Sequence, residues 1–254
     1  MADIVVDAES LGKRYVLSHR HRPDSIKAWL RGAIDRATAK GNPPDVEDFW
    51  AIRGVSFTVR QGECLALVGK NGSGKSTLLK ILSRIVPPTE GLVRIRGRVA
   101  SLLEVGTGFH PELTGRENIF LNGAMLGCPE REIRRLFDAI VDFSGVERFL
   151  DTPVKRYSSG MYVRLAYAVS AHVSADMMVI DEVLAVGDQD FQQKCITHLK
   201  ASLARGRSAI IVSHNLSLVR ELATHAAWLR NGQTASLASI DSDILKRYAS
   251  GGDQ

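Results

Sequence analysis

The stretch Leu65-Ala66-Leu67-Val68-Gly69-Lys70-Asn71-Gly72-Ser73-Gly74-Lys75-Ser76-Thr77 decides how the rest of the chain is read. Four consecutive apolar residues fit a strand buried on both faces, and Leu78, Leu79, Ile81 and Leu82 fit the apolar side of a helix that follows it. Between them lies the Gly-x-x-x-x-Gly-Lys-Ser spacing of a phosphate-binding loop in the strand-to-helix context that gives the spacing meaning. Glycines let successive backbone N–H groups point inward at phosphate oxygens, and the helix adds its positive N-terminal end. Gly69, Asn71, Gly72, Ser73, Gly74, Lys75, Ser76 and Thr77 are therefore candidate nucleotide-binding residues. Lys75 supplies a mobile cation for the β and γ phosphates, and the Ser76 hydroxyl is a candidate magnesium ligand.

Working outward, Met177 to Ile180 reads as a second buried strand that runs into Asp181-Glu182. Two carboxylates then emerge at the carboxyl end of a parallel strand, where open α/β sheets bind ligands. Asp181 is the candidate holder of the magnesium shell, and Glu182 the general base that polarises the attacking water. A third apolar strand, Ser208 to Val212, is followed by Ser213-His214-Asn215. Tyr157-Ser158-Ser159-Gly160-Met161 opens a helical run from Tyr162 to Ala171, which places hydroxyls and free N–H groups at a helix N-terminus.

Ahead of this α/β pattern, Asp3 to Glu9 alternates like an edge strand and Val55, Phe57 and Val59 repeat the alternation, as two strands of one antiparallel sheet would. Ile26, Trp29, Leu30, Ala33, Ile34 and Ala37 recur at helical spacing between them, with Lys27, Arg31 and Arg36 off the apolar face. Gly41-Asn42-Pro43-Pro44 closes that unit, which reads as an inserted amphipathic helix over about residues 24–40. Val93 to Ile95 and Val99 to Leu103 are strand-like, and residues 112–175 read as helices broken at Gly127-Cys128-Pro129, Gly145 and Thr152-Pro153. A hairpin is expected at Asn231-Gly232 and a short helix around Ile244 to Tyr248. The expected fold is α/β, a mixed sheet core with an antiparallel β subdomain (residues 1–62) and a helical subdomain (112–175). The core itself takes residues 63–111 and 176–254.

Composition narrows the function classes. With 254 residues, 44% hydrophobic and 24% charged, the chain has the make-up of a folded globular protein rather than a disordered or fibrous one. No stretch reaches the roughly 18 apolar residues that span a bilayer, and the N-terminus lacks the layout of a secretory signal, so a cytoplasmic location is expected. Cys64, Cys128 and Cys195 are scattered, without metal-ligand spacing, as in a reducing compartment. The net charge is +5, and Lys13, Arg14, Arg20, Arg22, Lys27, Arg31, Arg36 and Lys40 face only Asp24 and Asp35 in their stretch. Such a patch points to an acidic surface nearby, either nucleic acid or anionic lipid headgroups.

The Tyr157 to Met161 segment resembles the ABC signature, usually written Leu-Ser-Gly-Gly-Gln, and departs from it at Ser159 and Met161. With the phosphate loop, Asp181, Asp188 and His214 in family order, nearly the whole chain is similar to the ATP-binding subunit of an ABC transporter, a P-loop NTPase of the ABC type. That resemblance implies an ATPase that uses ATP and Mg2+ and works as a homodimer, in which Ser158, Ser159 and Gly160 of one copy meet the nucleotide held by the other. It implies that Asp188 communicates across the interface, that His214 contacts the γ phosphate, and that Tyr15 stacks on adenine, with Trp50 the second candidate. At the coupling position, usually glutamine, stands Glu104, which meets magnesium through water but donates no hydrogen bond unless protonated.

Glu104 with Gly106 to Asn118, the variant signature and the inserted helix is similar to the subgroup that exports lipid-linked polysaccharides of the O-antigen, capsule and teichoic acid type. The implied partners are a second copy and a separate transmembrane permease at the cytoplasmic face of the plasma membrane, with the polysaccharide met indirectly and no nucleic acid. No C-terminal carbohydrate-binding domain is expected. The alternative is a soluble ABC-type ATPase acting in assembly or on nucleic acid. A single cassette without a coiled-coil insertion, and a basic patch tied to an apolar helix face, weigh against it.

Overall fold

In the computed structural model, which describes residues 3–18, 46–103, 106–181, 187–213, 215–240, 245 and 248, the alternating N-terminal segment forms strand β1 (Ile4–Ser18). Its inward residues Val6, Ala8 and Leu11 are buried, while Asp7 and Glu9 face out and pair with Arg94. Strand β2 (Val46–Arg60) runs antiparallel beside it, and β3 (Cys64–Val68) leaves for a second sheet. β4 (Glu90–Ile95) returns to pair antiparallel with β1, giving the order β2-β1-β4. The sequence reading assigned that segment to the α/β core. Its alternation suits a half-exposed antiparallel edge instead, because Leu92 and Arg94 stay exposed while Val93 and Ile95 pack inward.

The second sheet adds β5 (Val99–Ser101), β6 (Met177–Ile180), β7 (Ser208–Val212), β8 (His225–Arg230) and β9 (Gln233–Ser239) in the order β5-β6-β7-β3-β8-β9. All pairings are parallel except the β8–β9 hairpin, which turns at Asn231-Gly232 as expected. Continuous apolar runs are needed because this sheet is covered on both faces. Leu65, Leu67, Met177, Val179, Ile210 and Val212 face the antiparallel layer and the helix α1 (Lys75–Leu82). Cys64, Ala66, Met178, Ile180, Ala209 and Ile211 face the opposite side. Burying one such leucine or isoleucine contributes about 1.5–3 kcal/mol.

The opposite side is closed by α2 (Gly115–Met125), α3 (Glu130–Ser144), α4 (Ser159–His172), α5 (Gln189–Ala204) and α6 (Leu216–Leu222). Local signals set their ends. Thr114 and Glu117 form a reciprocal capping box at the start of α2, and Gly145 in a left-handed conformation ends α3. The inserted helix expected over 24–40 and most of the expected C-terminal helix lie outside the described residues. Leu245 and Tyr248 of the latter are described, and Leu245 is buried in the core. Among the described residues no helix is long and apolar enough to cross a membrane.

An aromatic cluster joins α4 to α5. The His172 and His198 rings lie 4.8 Å apart, each edge-on to Phe143. Burial, together with the neighbouring Arg205 and Arg207, lowers both imidazoles, His198 to about 4. Because these folded values lie below the ordinary 6.5, neutral rings stabilise the fold fully above about pH 6.5, and that contribution is lost as pH falls toward 4. Thermal melts from pH 7.5 to 4.5 are expected to show a falling Tm with a slope that flattens in His198→Gln.

Candidate functional site

The phosphate loop is shaped by how closely other backbone approaches it. Gly74 has φ +100, and a Cβ there would meet Ile52 Cγ2 at 2.4 Å and the Ala51 carbonyl oxygen at 2.7 Å. Gly74 is the N-cap of α1, with no side-chain cap and no acidic residue in the first turn, so the positive end of the helix is left for an anion. The Lys75 side chain is only 8% exposed, and its ammonium donates to the carbonyls of Gly69 (2.7 Å) and Lys70 (3.0 Å). These bonds hold the cation at the loop it serves.

A cavity of about 410 Å³ opens beside this loop, lined by Asn71, Gly72, Gly74, Lys75, Ser76 and Thr77, with Asp181 entering from the end of β6. The sheet order places β6 and β3 on either side of β7, so the two carboxyl ends deliver their loops to one place. Ser76 and Asp181 together offer a hydroxyl and a carboxylate oxygen, the hard donors that magnesium takes alongside phosphate and water. Gly69 and Ser73 are buried, and among the described residues the Ser73 hydroxyl has no hydrogen-bond partner.

The aromatic ring lining the cavity is Phe49, 46% exposed, which sequence reasoning missed. Tyr15 is its cross-strand partner on β1, with the Lys13 ammonium 5.5 Å from its ring. Trp50 packs under the Arg53 guanidinium, 4.7 Å away. Tyr248 is a second residue the sequence did not mark. Its hydroxyl donates to the Gly69 carbonyl at 3.3 Å while its ring meets Trp228 edge-on.

The other candidates lie on the helical side. Ser158 caps α4 by accepting from the Met161 N–H at 3.2 Å, and Ser158 and Ser159 are exposed. Among the described residues a Cβ on Gly160 would meet nothing nearer than the Ser158 hydroxyl at 3.9 Å, so their packing does not require glycine there. Asp188 caps α5 by accepting from the Phe191 N–H at 2.9 Å and also pairs with Arg164 of α4. Tyr162, early in α4, donates to the Gly106 carbonyl at 2.9 Å, and the Asn118 amide donates to the carbonyls of His110, Leu113 and Thr114. The segment after residue 105 is thereby tied to α4 and α2. Glu104, Glu182 and His214 lie outside the described residues.

Residues 52–185 match the family model described as ABC transporter. The O-antigen export system ATP-binding protein RfbB of Klebsiella pneumoniae is 46% identical over 200 residues, covering 79% of this chain and 81% of that protein. RfbB of Myxococcus xanthus is 43% identical over 220 residues, 87% of this chain but 48% of its own length, so the chain spans about half of that relative. The teichoic acids export ATP-binding protein TagH of Listeria innocua is 40% identical over 246 residues, 97% of this chain and 70% of that protein. Among solved structures, a dimeric ATP-binding cassette in a post-hydrolysis state with ADP and Pi shares the fold. Its TM-score is 0.70 at 19% identity, over 93% of this chain and 99% of that one.

Gly72 and Gly74 separate two costs of adding a side chain. Both have positive φ, but among the described residues a Cβ on Gly72 meets nothing within 4 Å. Gly72→Ala is expected to lose about 1 kcal/mol from backbone strain alone, and Gly74→Ala about 2 kcal/mol more, by urea unfolding.

Proposed function

Because the chain belongs to the ABC transporter family, we propose that it is an ATP-hydrolysing subunit that powers export of a lipid-linked polysaccharide through a separate membrane-spanning subunit. The observation that carries this reading is the single cavity that gathers Lys75, Ser76, Thr77 and Asp181 beside the exposed ring of Phe49. The relatives named for O-antigen and teichoic acid export support a polysaccharide of the O-antigen or teichoic acid type.

In this reading the triphosphate lies on the N–H groups of residues 71–77. Lys75 turns from the Gly69 and Lys70 carbonyls to the β and γ phosphates, an exchange of neutral acceptors for charged ones that favours the bound state. Ser76 and Asp181 would hold Mg2+, and Glu104 is the further carboxylate that would meet it through water. When bound, the ion offsets part of the phosphate charge. Phe49 and Tyr15, paired across β1 and β2, offer the adenine an aromatic surface. Glu182 accepts the proton of the attacking water, and His214 orients that water against the γ phosphate.

The exposed Ser158 and Ser159, with Gly160, complete the site on a second copy of the chain. The room around Gly160 supports this, because a glycine that its own fold does not require leaves space for a partner's nucleotide. Asp188, paired with Arg164, links that signature helix to the core as the two copies close. Two ATP molecules at the interface act as glue, and closure moves the membrane subunit. Inverting a 1:99 population of closed to open dimers requires about 5.5 kcal/mol of preferential binding. The chain works at the cytoplasmic face of the membrane, peripheral through its permease and without nucleic acid.

Three variants test the assignment. Glu182→Gln with ATP and magnesium is expected to elute as a dimer and hydrolyse at least a hundredfold more slowly, whereas an unchanged rate would remove Glu182 from the role of base. Gly160→Ala is expected to melt at or above the temperature of the unmodified chain and yet lose most ATPase activity, and retained activity would contradict the shared site. Phe49→Ala is expected to weaken binding of a fluorescent ATP analogue about tenfold, and unaltered affinity would return the adenine platform to Tyr15 alone.

A further inference from the structure

At the amino ends of the parallel strands, on the opposite pole of the sheet from the phosphate loop, two identical tripeptides face one another. Arg96-Gly97-Arg98 turns from β4 into β5, and Arg205-Gly206-Arg207 turns from α5 into β7. Both glycines have φ +85, so each turn presents its two arginines about a tight bend. Strand β6 lies between β5 and β7, and Asp176 just before it stitches the turns together. Its carboxylate accepts from the Arg98 N–H at 2.7 Å, its own N–H donates to the Arg98 carbonyl at 2.9 Å, and its carbonyl accepts from the Ser208 N–H at 3.1 Å. The two turns are therefore held at a fixed separation by backbone, not by their side chains.

Together they line a cavity of about 420 Å³. Arg96, Arg98, Arg205 and Arg207 line it together with two acidic residues, Asp3 and Asp176, and the Asp176 carboxylate is already engaged by a backbone N–H. Arg98 also reaches Glu132 at 3.5 Å, and Arg205 donates to the Ala201 carbonyl at 3.1 Å at the end of α5. Arg207 is half-buried, and desolvation and the charge of Arg205 hold its guanidinium below the ordinary value. Gathering like charges at a partly dry surface is unfavourable unless an anion arrives. Planar guanidinium forks match phosphate oxygens two at a time, and arginines supplied by two separate turns suit two phosphates better than one.

We propose that the two facing Arg-Gly-Arg turns form a second anion site, separate from the phosphate loop, that binds a diphosphate-bearing ligand. The required chemistry is present both in a soluble diphosphate and in the headgroup of a diphosphate lipid. The site does not depend on the transport reading and would stand if that reading failed.

The test begins with calorimetric titration of inorganic pyrophosphate into the full chain carrying Lys75→Ala, which removes the cation of the phosphate loop without adding a second diphosphate to the solution. One pyrophosphate per chain is expected, weakened at least tenfold in Arg96→Ala/Arg207→Ala and unchanged in Arg134→Ala, which removes an exposed arginine paired with Glu130 elsewhere. Arg207→Lys keeps the charge and removes the fork, so an intermediate loss in a variant of unchanged melting temperature supports the geometry even if the double variant folds poorly. In a second arm, vesicles containing a polyprenyl diphosphate are sedimented with the same proteins. Pyrophosphate binding that the variants weaken assigns a soluble ligand, and vesicle capture alone, lost in the same variants, assigns a lipid headgroup. Absence of binding in both arms, or variants indistinguishable from the unmodified chain, would overturn the proposal.

Discussion

The backbone of Ala51 and Ile52 passes so close to Gly74 and Gly232 that a side chain on either glycine would strike it. A Cβ on Gly74 would lie 2.7 Å from the Ala51 carbonyl oxygen, and one on Gly232 would lie 2.8 Å from the same atom. The Arg53 N–H donates to the Gly232 carbonyl at 2.8 Å, which closes the junction. Three parts of the chain meet there: the antiparallel layer through β2, the phosphate loop, and the β8–β9 turn. The rest of the site depends on this contact, because it fixes where α1 begins and where Phe49, two residues before Ala51, enters the nucleotide cavity. A loop that must curl around phosphate is thus supported from behind by two backbone segments, in addition to the Lys75 ammonium on its own carbonyls.

A second constraint joins the helical region to the core. Asp188 caps α5 and pairs with Arg164, whose guanidinium lies 5.5 Å from the centre of the Phe191 ring. Tyr162, two residues earlier on the same helix, holds the Gly106 carbonyl. The helix that carries the signature residues is therefore anchored both to the segment after β6 and to the loop after β5. A displacement of α4 would be felt at both places.

The central strand, the phosphate loop, the helical stretch and the final hairpin were legible because each rests on local signals: apolar runs, glycine spacing and caps. The placement of β4 was not, since alternation identifies a half-buried strand without saying which sheet it joins. Phe49 was hidden for a related reason. Which aromatic reaches the cavity depends on the β1–β2 register, and that register shifts at irregularities between Leu11 and Arg14 that no pattern announces. The pairing of Asp188 with Arg164 was also invisible, because the two residues meet only when α4 packs beside α5. Gly160 is the reverse case, where the motif marked the residue and the open space around it among the described residues gives packing no reason for a glycine.

The most direct test of the account is to tag the chain, solubilise membranes in mild detergent, and identify what is retained with it. The account predicts a polytopic membrane protein in stoichiometric amount, with the association lost when residues 24–40 are deleted or the segment from Glu104 to Asn118 is disrupted. Recovery of nucleic acid, or of soluble partners only, would contradict it and leave the ATPase without the exporter.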